Sequence, residues 1–150
     1  MYMDSLGINK KIGAAAVLMC PNGNSKKARY HLGTDSEHMV YEAELVALTL
    51  AVYLLYTERD INFPVHIFVD NQAAIKSSDN PTSKPGHYLI TKLHRLLRAV
   101  HRKYCCSKEE VIIQWVAGHQ DVQDNTLADE EAKRAALHPD STSSPSCLPP

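Results

Sequence analysis

Residues 40–58 carry apolar side chains at a helical period, and this pattern limits the folds open to the chain more than any other segment does. The apolar positions are Val40, Ala43, Val46, Ala47, Leu50, Leu54 and Leu55. A helix this long and this apolar must be covered on much of its surface, so we expect it to pack on a β-sheet. Glu44 falls on its inner half, where a carboxylate without a partner is costly.

Sheet-forming segments lie on both sides of this helix. The predicted strands are the end of a strand at 1–4, a hairpin of 12–20 and 28–33, a buried strand at 65–70 and a last strand at 111–116. The predicted helices are 40–58, 71–78, 88–104 and 126–137. The order β-β-β-α-β-α-α-β-α predicts an α/β fold with a mixed five-stranded sheet. Three antiparallel strands are followed by parallel strands, and helices cover both faces.

The 150 residues of the chain fit one domain, which we place at residues 1–137. Residues 138–150 are rich in proline and serine, and we expect a disordered tail there. No apolar run approaches the roughly 20 residues that a membrane helix needs, and no signal peptide opens the sequence. We therefore expect a soluble, monomeric, unsecreted protein of the nucleus or cytoplasm, with free thiols at its four cysteines.

Four carboxylates stand in contexts that favour their convergence. Asp4 and Asp70 each end a predicted strand, Glu44 lies on the apolar helix, and the last helix begins near Asp129. In a mixed sheet, the ends of central strands and the facing helix meet, and carboxylate oxygens there can hold Mg²⁺. A pair of such ions, roughly 3.5–4 Å apart, can activate a water and stabilise the leaving oxygen of a phosphodiester.

Three of these carboxylates also have an ordinary structural explanation. Asp70 is suited to cap the helix predicted after it, and Asp129 to complement the dipole of the last helix. Asp4 can be an exposed residue of the terminus. Glu44 is harder to explain in this way, because a buried position rarely tolerates glutamate. The joint pattern of these acids with His119, ten residues before Asp129, is more specific than any single member.

Positive charge is concentrated in one part of the chain, although the net charge is −1. Between Asn71 and Lys108 there are eight lysine or arginine residues against one acid, Asp79, which gives a local balance of +7. The helix predicted at 88–104 has an apolar face and a basic face that includes Lys92 and Arg95. Such a face can be merely solvated, but a basic surface beside an acidic pocket suits a polyanion that carries metal ions.

Four segments together resemble a ribonuclease H domain of the type 1 class. They read MYMDSLGINKKIGAAAV, HLGTDSEHMVYEAELVAL, IFVDNQAAI and WVAGHQDVQDNTLADEEA, and they follow the order and spacing of that family over residues 1–137. The Gly-His pair followed ten residues later by Asp, with Asn between, is a fairly specific signature. Within the class, the chain is most similar to domains of fungal non-LTR retrotransposon polyproteins.

The resemblance implies a metal-dependent hydrolysis of the RNA strand of RNA–DNA hybrids, which leaves 3′-hydroxyl and 5′-phosphate ends. It implies two Mg²⁺ ions, for which Mn²⁺ can substitute, and a reverse transcriptase domain covalently linked in a parent polyprotein. His119 matches a loop histidine that aids proton transfer or product release, a role that suits an imidazole titrating near neutral pH. The implied metal-binding carboxylates are Asp4, Glu44, Asp70 and Asp129.

The resemblance also implies contacts with the hybrid. Asn125 matches a loop residue that contacts the RNA strand. Asn71 and Gln72 follow the third carboxylate and are expected at the minor groove, where 2′-hydroxyls mark RNA. The basic helix with Lys92 and Arg95 would then follow the phosphates.

Three positions depart from the family pattern. Ser5 stands where the family usually has a glycine that lets the backbone approach a phosphate, so we expect Ser5 at the substrate surface with weakened binding. Met39 stands where a threonine often helps to hold the DNA strand. Only three residues precede Asp4, so we expect a frayed strand cut from a longer polyprotein. These departures leave an alternative open, namely a catalytically weak or inactive nucleic-acid-binding module on the same fold.

Overall fold

The computed structural model describes residues 1–36, 40–70, 87–116 and 123–143. Its strands are β1 (Tyr2–Ile8), β2 (Lys11–Met19), β3 (Ser25–Thr34), β4 (Val65–Val69) and β5 (Val111–Trp115). Its helices are α1 (Val40–Thr57), α2 (His87–Tyr104) and α3 (Gln123–Leu137), with short 3-10 turns at Lys108–Glu110 and Pro139–Ser141. The helix predicted at 71–78 lies outside the described residues.

The predicted mixed five-stranded sheet is confirmed. Its strand order is β3-β2-β1-β4-β5. β2 pairs antiparallel with both β1 and β3, whereas β4 lies parallel to β1 and to β5. Both faces carry helices, because α1 packs on one side of β1 to β3 and α3 packs on the other, while α2 lies against α1.

The first strand is longer than the sequence pattern indicates. β1 continues past Asp4 to Ile8, so Asp4 is the third of seven strand residues and not the end of a strand. The strand ends at a two-residue turn in which Asn9 and Lys10 both have positive φ, at 50° and 63°. Positive φ at both positions is typical of the type I′ hairpin turn. The second turn residue is lysine rather than the usual glycine, and the hairpin therefore has a weak sequence signature.

Burial around α1 explains its apolar composition. The helix lies between the sheet and α2, and its side chains from Ala43 to Leu55 are buried with one exception, Tyr53. The predicted apolar face of α2 is also confirmed. Leu89, Leu93 and Val100 are buried there, and their neighbours on that face are packed against the same core.

One exposed lysine of the basic helix caps the C-terminal end of α1. The last turn of α1 has no basic residue of its own. Lys103 of α2 supplies one, because its ammonium group donates to the carbonyl oxygens of Tyr56 and Glu58 and lies 4.7 Å from the ring centre of Tyr104. Cations at a helix C-terminus compensate carbonyls that lack intrahelical partners.

The segment after α3 differs from the disordered tail predicted from residue 138. The backbone N–H of Ser143 donates to the carbonyl oxygen of Arg29, and the hydroxyl of Thr142 accepts from the N–H of His31. These bonds satisfy outward-facing groups of the edge strand β3, which would otherwise be open to pairing. Residues up to 143 therefore belong to the packed structure, and residues 144–150 lie outside the described part.

Among the described helices, none combines the length and apolarity that crossing a bilayer requires. Cys20, Cys105 and Cys106 are free thiols. Cys147 is not among the described residues.

Candidate metal centre

Three of the four predicted carboxylates meet at the centre of the sheet. One oxygen from each of Asp4, Glu44 and Asp70 lies within 4.8 Å of the others. Asp4 is on β1 and Asp70 directly follows β4, and the parallel register that pairs Tyr2 with Phe68 brings these aspartates level. Glu44 reaches them from the second turn of α1, where it is 3% exposed.

Burial and mutual repulsion raise the pKa of two of these carboxylates towards neutral pH. Desolvation, followed by the negative charge of Asp70, raises the pKa of Asp4 to about 7. Desolvation also raises the pKa of Glu44 to about 8, with further increases from the charges of Asp70 and Asp4. Three carboxylates this close repel one another unless protons or cations neutralise them.

Ser5 contacts two members of the cluster. Its backbone N–H donates to Oδ1 of Asp4 at 2.8 Å, and its hydroxyl donates to Oε1 of Glu44. The other oxygen of Glu44, Oε2, is buried and has no hydrogen-bond partner among the described residues. A buried carboxylate oxygen without a partner is costly, and a divalent cation would satisfy it. The residues present therefore fit a metal ion.

Asp129 stands beside the cluster rather than within it. The sequence pattern placed Asp129 in the first turn of the last helix. α3 instead begins at Gln123, so Asp129 is its seventh residue and lies beyond the first turn. The carboxylate of Asp129 pairs with the ammonium group of Lys133 at 2.5 Å. Both charges reach the cluster, since Asp129 raises the pKa of Asp4 and Lys133 lowers it.

A buried carboxylate fixes α3 on the sheet. Glu131 is 2% exposed and accepts from Lys27 at 3.0 Å and from Arg29 at 2.7 Å, both on β3. One helical turn further, the ring Nδ1 of His31 donates to the carbonyl oxygen of Ala135 at 2.9 Å. Four helical residues rise about 6 Å and two strand residues about 6.6 Å, so the two contacts match in spacing. They set the position of α3 and, with it, that of Asp129.

Replacing Arg29 by alanine is expected to destabilise the protein by about 2–3 kcal/mol, because a buried carboxylate loses a charge-assisted hydrogen bond. Urea unfolding of Arg29→Ala measures this change. Lys26→Ala is the matched control, since the ammonium group of Lys26 pairs with Glu58 while 52% exposed. Such exposed pairs contribute under about 1 kcal/mol. Equal losses in the two variants would contradict a structural role for the buried pair.

The inner face of α3 consists of small residues. Ala128, Ala132, Ala135 and Ala136 are fully buried. They let the helix backbone approach β2 so closely that a Cβ at Gly13 would lie 2.8 Å from the carbonyl carbon of Ala135, and closer still to the backbone of Ala132 and Ala136. Gly13 and the alanine face therefore determine the distance between α3 and the sheet.

A tryptophan supports the backbone at Asp70. The indole N–H of Trp115, at the end of β5, donates to the carbonyl oxygen of Asp70 at 3.0 Å. The N–H of Val116 donates to the carbonyl oxygen of Val69 at 2.9 Å. Together these bonds join the ends of β4 and β5 where the chain leaves the sheet.

The remaining predicted site residues are distributed between described and undescribed parts of the chain. Asn71, Gln72 and His119 lie outside the described residues, and so does the side chain of Asn125 at the start of α3. On α2, Arg95 is exposed and Lys92 half-buried. Their predicted roles stay predictions.

Two residues near the cluster were missed by the sequence reasoning. Lys133 follows Asp129 by four residues on one helix, a spacing that indicates an ion pair and that a search for such pairs would have found. The contact of Trp115 with the carbonyl of Asp70 joins two strands 45 residues apart. No local sequence signal predicts it.

The raised carboxylate pKa values predict an unusual pH dependence for the metal-free protein. The unfolded chain loses these protons near its ordinary values of 3.8 for Asp4 and 4.5 for Glu44, whereas the folded protein holds them to about 7 and 8. Between these limits the folded state binds more protons, so its stability falls as pH rises. Chemical unfolding with a chelator present should show this fall from about pH 5 to pH 8, with a smaller slope in Glu44→Gln.

Divalent metal should reverse that trend, because binding requires deprotonated ligands. The stabilisation by Mg²⁺ or Mn²⁺ is expected to be larger at pH 8 than at pH 6. A metal effect that is equal at the two pH values would contradict the assignment of these carboxylates as ligands.

Comparisons with known proteins agree with this geometry. A family model described as RNase H matches residues 1–137. Among solved structures, RNase H1 from the halophilic archaeon Halobacterium salinarum NRC-1 is 19% identical and superimposes with a TM-score of 0.63, over 89% of this chain and 93% of that one. LC11-RNase H1, isolated from compost by a metagenomic approach, is 16% identical with a TM-score of 0.61, over 91% and 93% of the two chains. At these identities the structures show a common fold. A search of curated proteins found no match.

Proposed function

Because this chain belongs to the RNase H family, we propose that it hydrolyses the RNA strand of RNA–DNA hybrids with two divalent metal ions. The observation that carries the proposal is the convergence of Asp4, Glu44 and Asp70 within 4.8 Å, at the centre of a sheet of the RNase H type. A cluster held only for stability would not need three mutually repelling carboxylates.

The proposed metal ligands are the three clustered carboxylates and Asp129. Their hard oxygens suit Mg²⁺, and Mn²⁺ accepts the same ligands. When bound, a pair of such ions supplies an activated water and charge stabilisation for the leaving 3′ oxygen. The charge of Lys133 holds the carboxylate of Asp129 in the metal-free protein, and metal binding would exchange this partner for a cation of higher charge.

Substrate contacts are proposed for residues around this centre. Asn71, Gln72 and Asn125 would contact the hybrid near the cleaved bond, and His119 would assist proton transfer or product release. The exposed guanidinium of Arg95 and the ammonium of Lys92 would contact phosphates from α2.

A labelled RNA–DNA hybrid, incubated with Mg²⁺ and separately with Mn²⁺, tests the proposal. The expected result is cleavage of the hybrid alone, lost on adding a chelator, with single-stranded RNA, double-stranded RNA and DNA of the same sequence left intact. Cleavage of all RNA substrates would show that the protein is a general ribonuclease without specificity for the hybrid. No cleavage with either metal would overturn the catalytic proposal.

The second candidate is a catalytically weak or inactive binding module on the same fold. The observation that favours it is Ser5, which occupies the position where the family usually has glycine. The two candidates differ in one result. A module would retain hybrid binding in a gel-shift assay while showing no cleavage at any metal concentration.

The proposal extends to the context of the chain. The similarity of its four motif segments to retrotransposon domains supports a parent polyprotein that also contains a reverse transcriptase. We propose that this polyprotein acts in the nucleus or cytoplasm and that the RNase H domain itself is monomeric. Immunoblotting with an antibody against residues 1–137 should detect a product larger than 16.7 kDa in cells that express the parent retrotransposon. A single product of 16.7 kDa would contradict the linkage, and gel filtration tests the monomer.

A further inference from the structure

We propose that Ser5 is a positioning residue for the metal centre, holding Glu44 so that one of its carboxylate oxygens is left for a cation. This inference rests on the proposed function, because it concerns the same carboxylates. It assigns to Ser5 a role other than contact with substrate. The side chain is only 8% exposed, and its hydroxyl is directed at Glu44.

The first observation is that Ser5 contacts two candidate ligands at once. Its backbone N–H binds Oδ1 of Asp4 at 2.8 Å, and its hydroxyl binds Oε1 of Glu44. One residue thereby fixes an oxygen on β1 relative to an oxygen on α1. Glutamate has three rotatable side-chain bonds, and ordering them costs conformational entropy before any metal can bind. A hydrogen bond already made in the folded protein removes part of that cost.

The second observation is independent and concerns the other oxygen of Glu44. Oε2 is buried and, among the described residues, has no hydrogen-bond partner. With Oε1 held by Ser5, Oε2 is the oxygen available to a cation. A carboxylate with one oxygen bound to a hydroxyl and the other without a hydrogen-bond partner among the described residues is typical of a metal ligand with an outer-shell partner.

A glycine at position 5 would leave Glu44 without this donor. The serine is therefore more than a departure from the family pattern, because it adds a support that the usual glycine cannot give. Removing outer-shell partners commonly weakens metal binding about 10- to 100-fold. We expect a loss of about tenfold in affinity for Mn²⁺ on removing the hydroxyl.

The test measures Mn²⁺ binding by isothermal titration calorimetry at pH 8, without nucleic acid. Ser5→Ala should raise the Kd for Mn²⁺ about tenfold, and Ser5→Thr, which keeps a hydroxyl, should restore part of the affinity. Thr49→Ala is the matched control, since Thr49 is also buried and donates its hydroxyl to the carbonyl oxygen of Leu45 at 2.7 Å, on the same helix as Glu44. It should lose stability without losing metal affinity.

Hybrid cleavage gives a second reading. In Ser5→Ala, the Mn²⁺ concentration for half-maximal rate should rise about tenfold, while the rate at saturating Mn²⁺ changes little. If Ser5→Ala fails to fold, Ser5→Gly provides the same loss of the hydroxyl with the residue that the family usually has. Wild-type affinity in either variant, or an equal loss in Thr49→Ala, would overturn the inference.

The outcomes separate this inference from the proposed function. Tight Mn²⁺ binding by the wild-type protein, weakened in Ser5→Ala, would support the positioning role even if no hybrid were cleaved. Absence of Mn²⁺ binding by the wild-type protein would overturn both. If the wild-type protein cleaves the hybrid but its Kd for Mn²⁺ is the same in Ser5→Ala, the proposed function would stand and the positioning role of Ser5 would be excluded.

Discussion

Asp70→Asn is expected to lower the rate of hybrid cleavage by about a thousandfold or more while the protein stays folded. The substitution keeps the size of the side chain and removes its charge from the centre of the carboxylate cluster. Metal ions stabilise the charge of a transition state by several kcal/mol, and each 1.4 kcal/mol or so corresponds to a factor of ten. Single-turnover cleavage at saturating Mg²⁺ measures the effect.

Stability distinguishes this result from simple unfolding. The charge of Asp70 raises the pKa of both Asp4 and Glu44, so its removal relieves repulsion in the metal-free protein. The unfolding midpoint of Asp70→Asn at pH 8 with a chelator should therefore equal or exceed that of the wild type. Asp60→Asn, at an exposed residue beyond α1, is the control and should leave both quantities unchanged. Cleavage by Asp70→Asn within tenfold of the wild-type rate would exclude Asp70 as a ligand.

Gly13→Ala is expected to lower the stability of the fold by about 2–3 kcal/mol. The added methyl group would overlap the backbone of α3 at Ala132 and Ala136, and backbone atoms cannot move aside as a flexible side chain can. The helix must shift outward, which also moves Asp129 away from Asp4. Thermal unfolding should show a midpoint lowered by roughly 5–10 °C, together with slower cleavage.

Gly7→Ala is the matched control for this substitution. Gly7 lies on the neighbouring strand β1, is exposed, and has no atom within 4 Å of an added Cβ. Its replacement by alanine should change stability by no more than about 0.5 kcal/mol and is expected to be slightly stabilising. A similar loss in both variants would show that the close approach of α3 to β2 does not limit the fold.

Sequence periodicity was sufficient to predict most of the helices and strands, because the burial of one face of each element determines where its apolar residues stand. The apolar period of α1 and the apolar face of α2 follow directly from the core that they share. Predictions failed where local signals compete. The turn at Asn9 and Lys10 lacks glycine, so β1 was predicted too short. Polar residues at the start of α3 masked its first turn, so Asp129 was placed too early in the helix.

The candidate site was predictable only in part, for a related reason. A glutamate within an apolar helix is costly, and this cost identified Glu44 without structural information. The level alignment of Asp4 with Asp70 depends on the pairing of β1 with β4, which no local pattern specifies. The hydroxyl of Ser5 on Glu44 likewise depends on how α1 packs on the sheet. Such contacts arise from tertiary structure, and they decide how the carboxylates are held.

The bond between Trp115 and Asp70 has a practical consequence. The chain has one tryptophan, so its ultraviolet emission originates from a single indole. That indole is 46% exposed and is hydrogen-bonded to the backbone of a candidate ligand. Indole emission responds to changes in hydrogen bonding and in nearby charge. The protein therefore contains an intrinsic optical reporter beside its carboxylate cluster, and titrations can be followed without any attached dye.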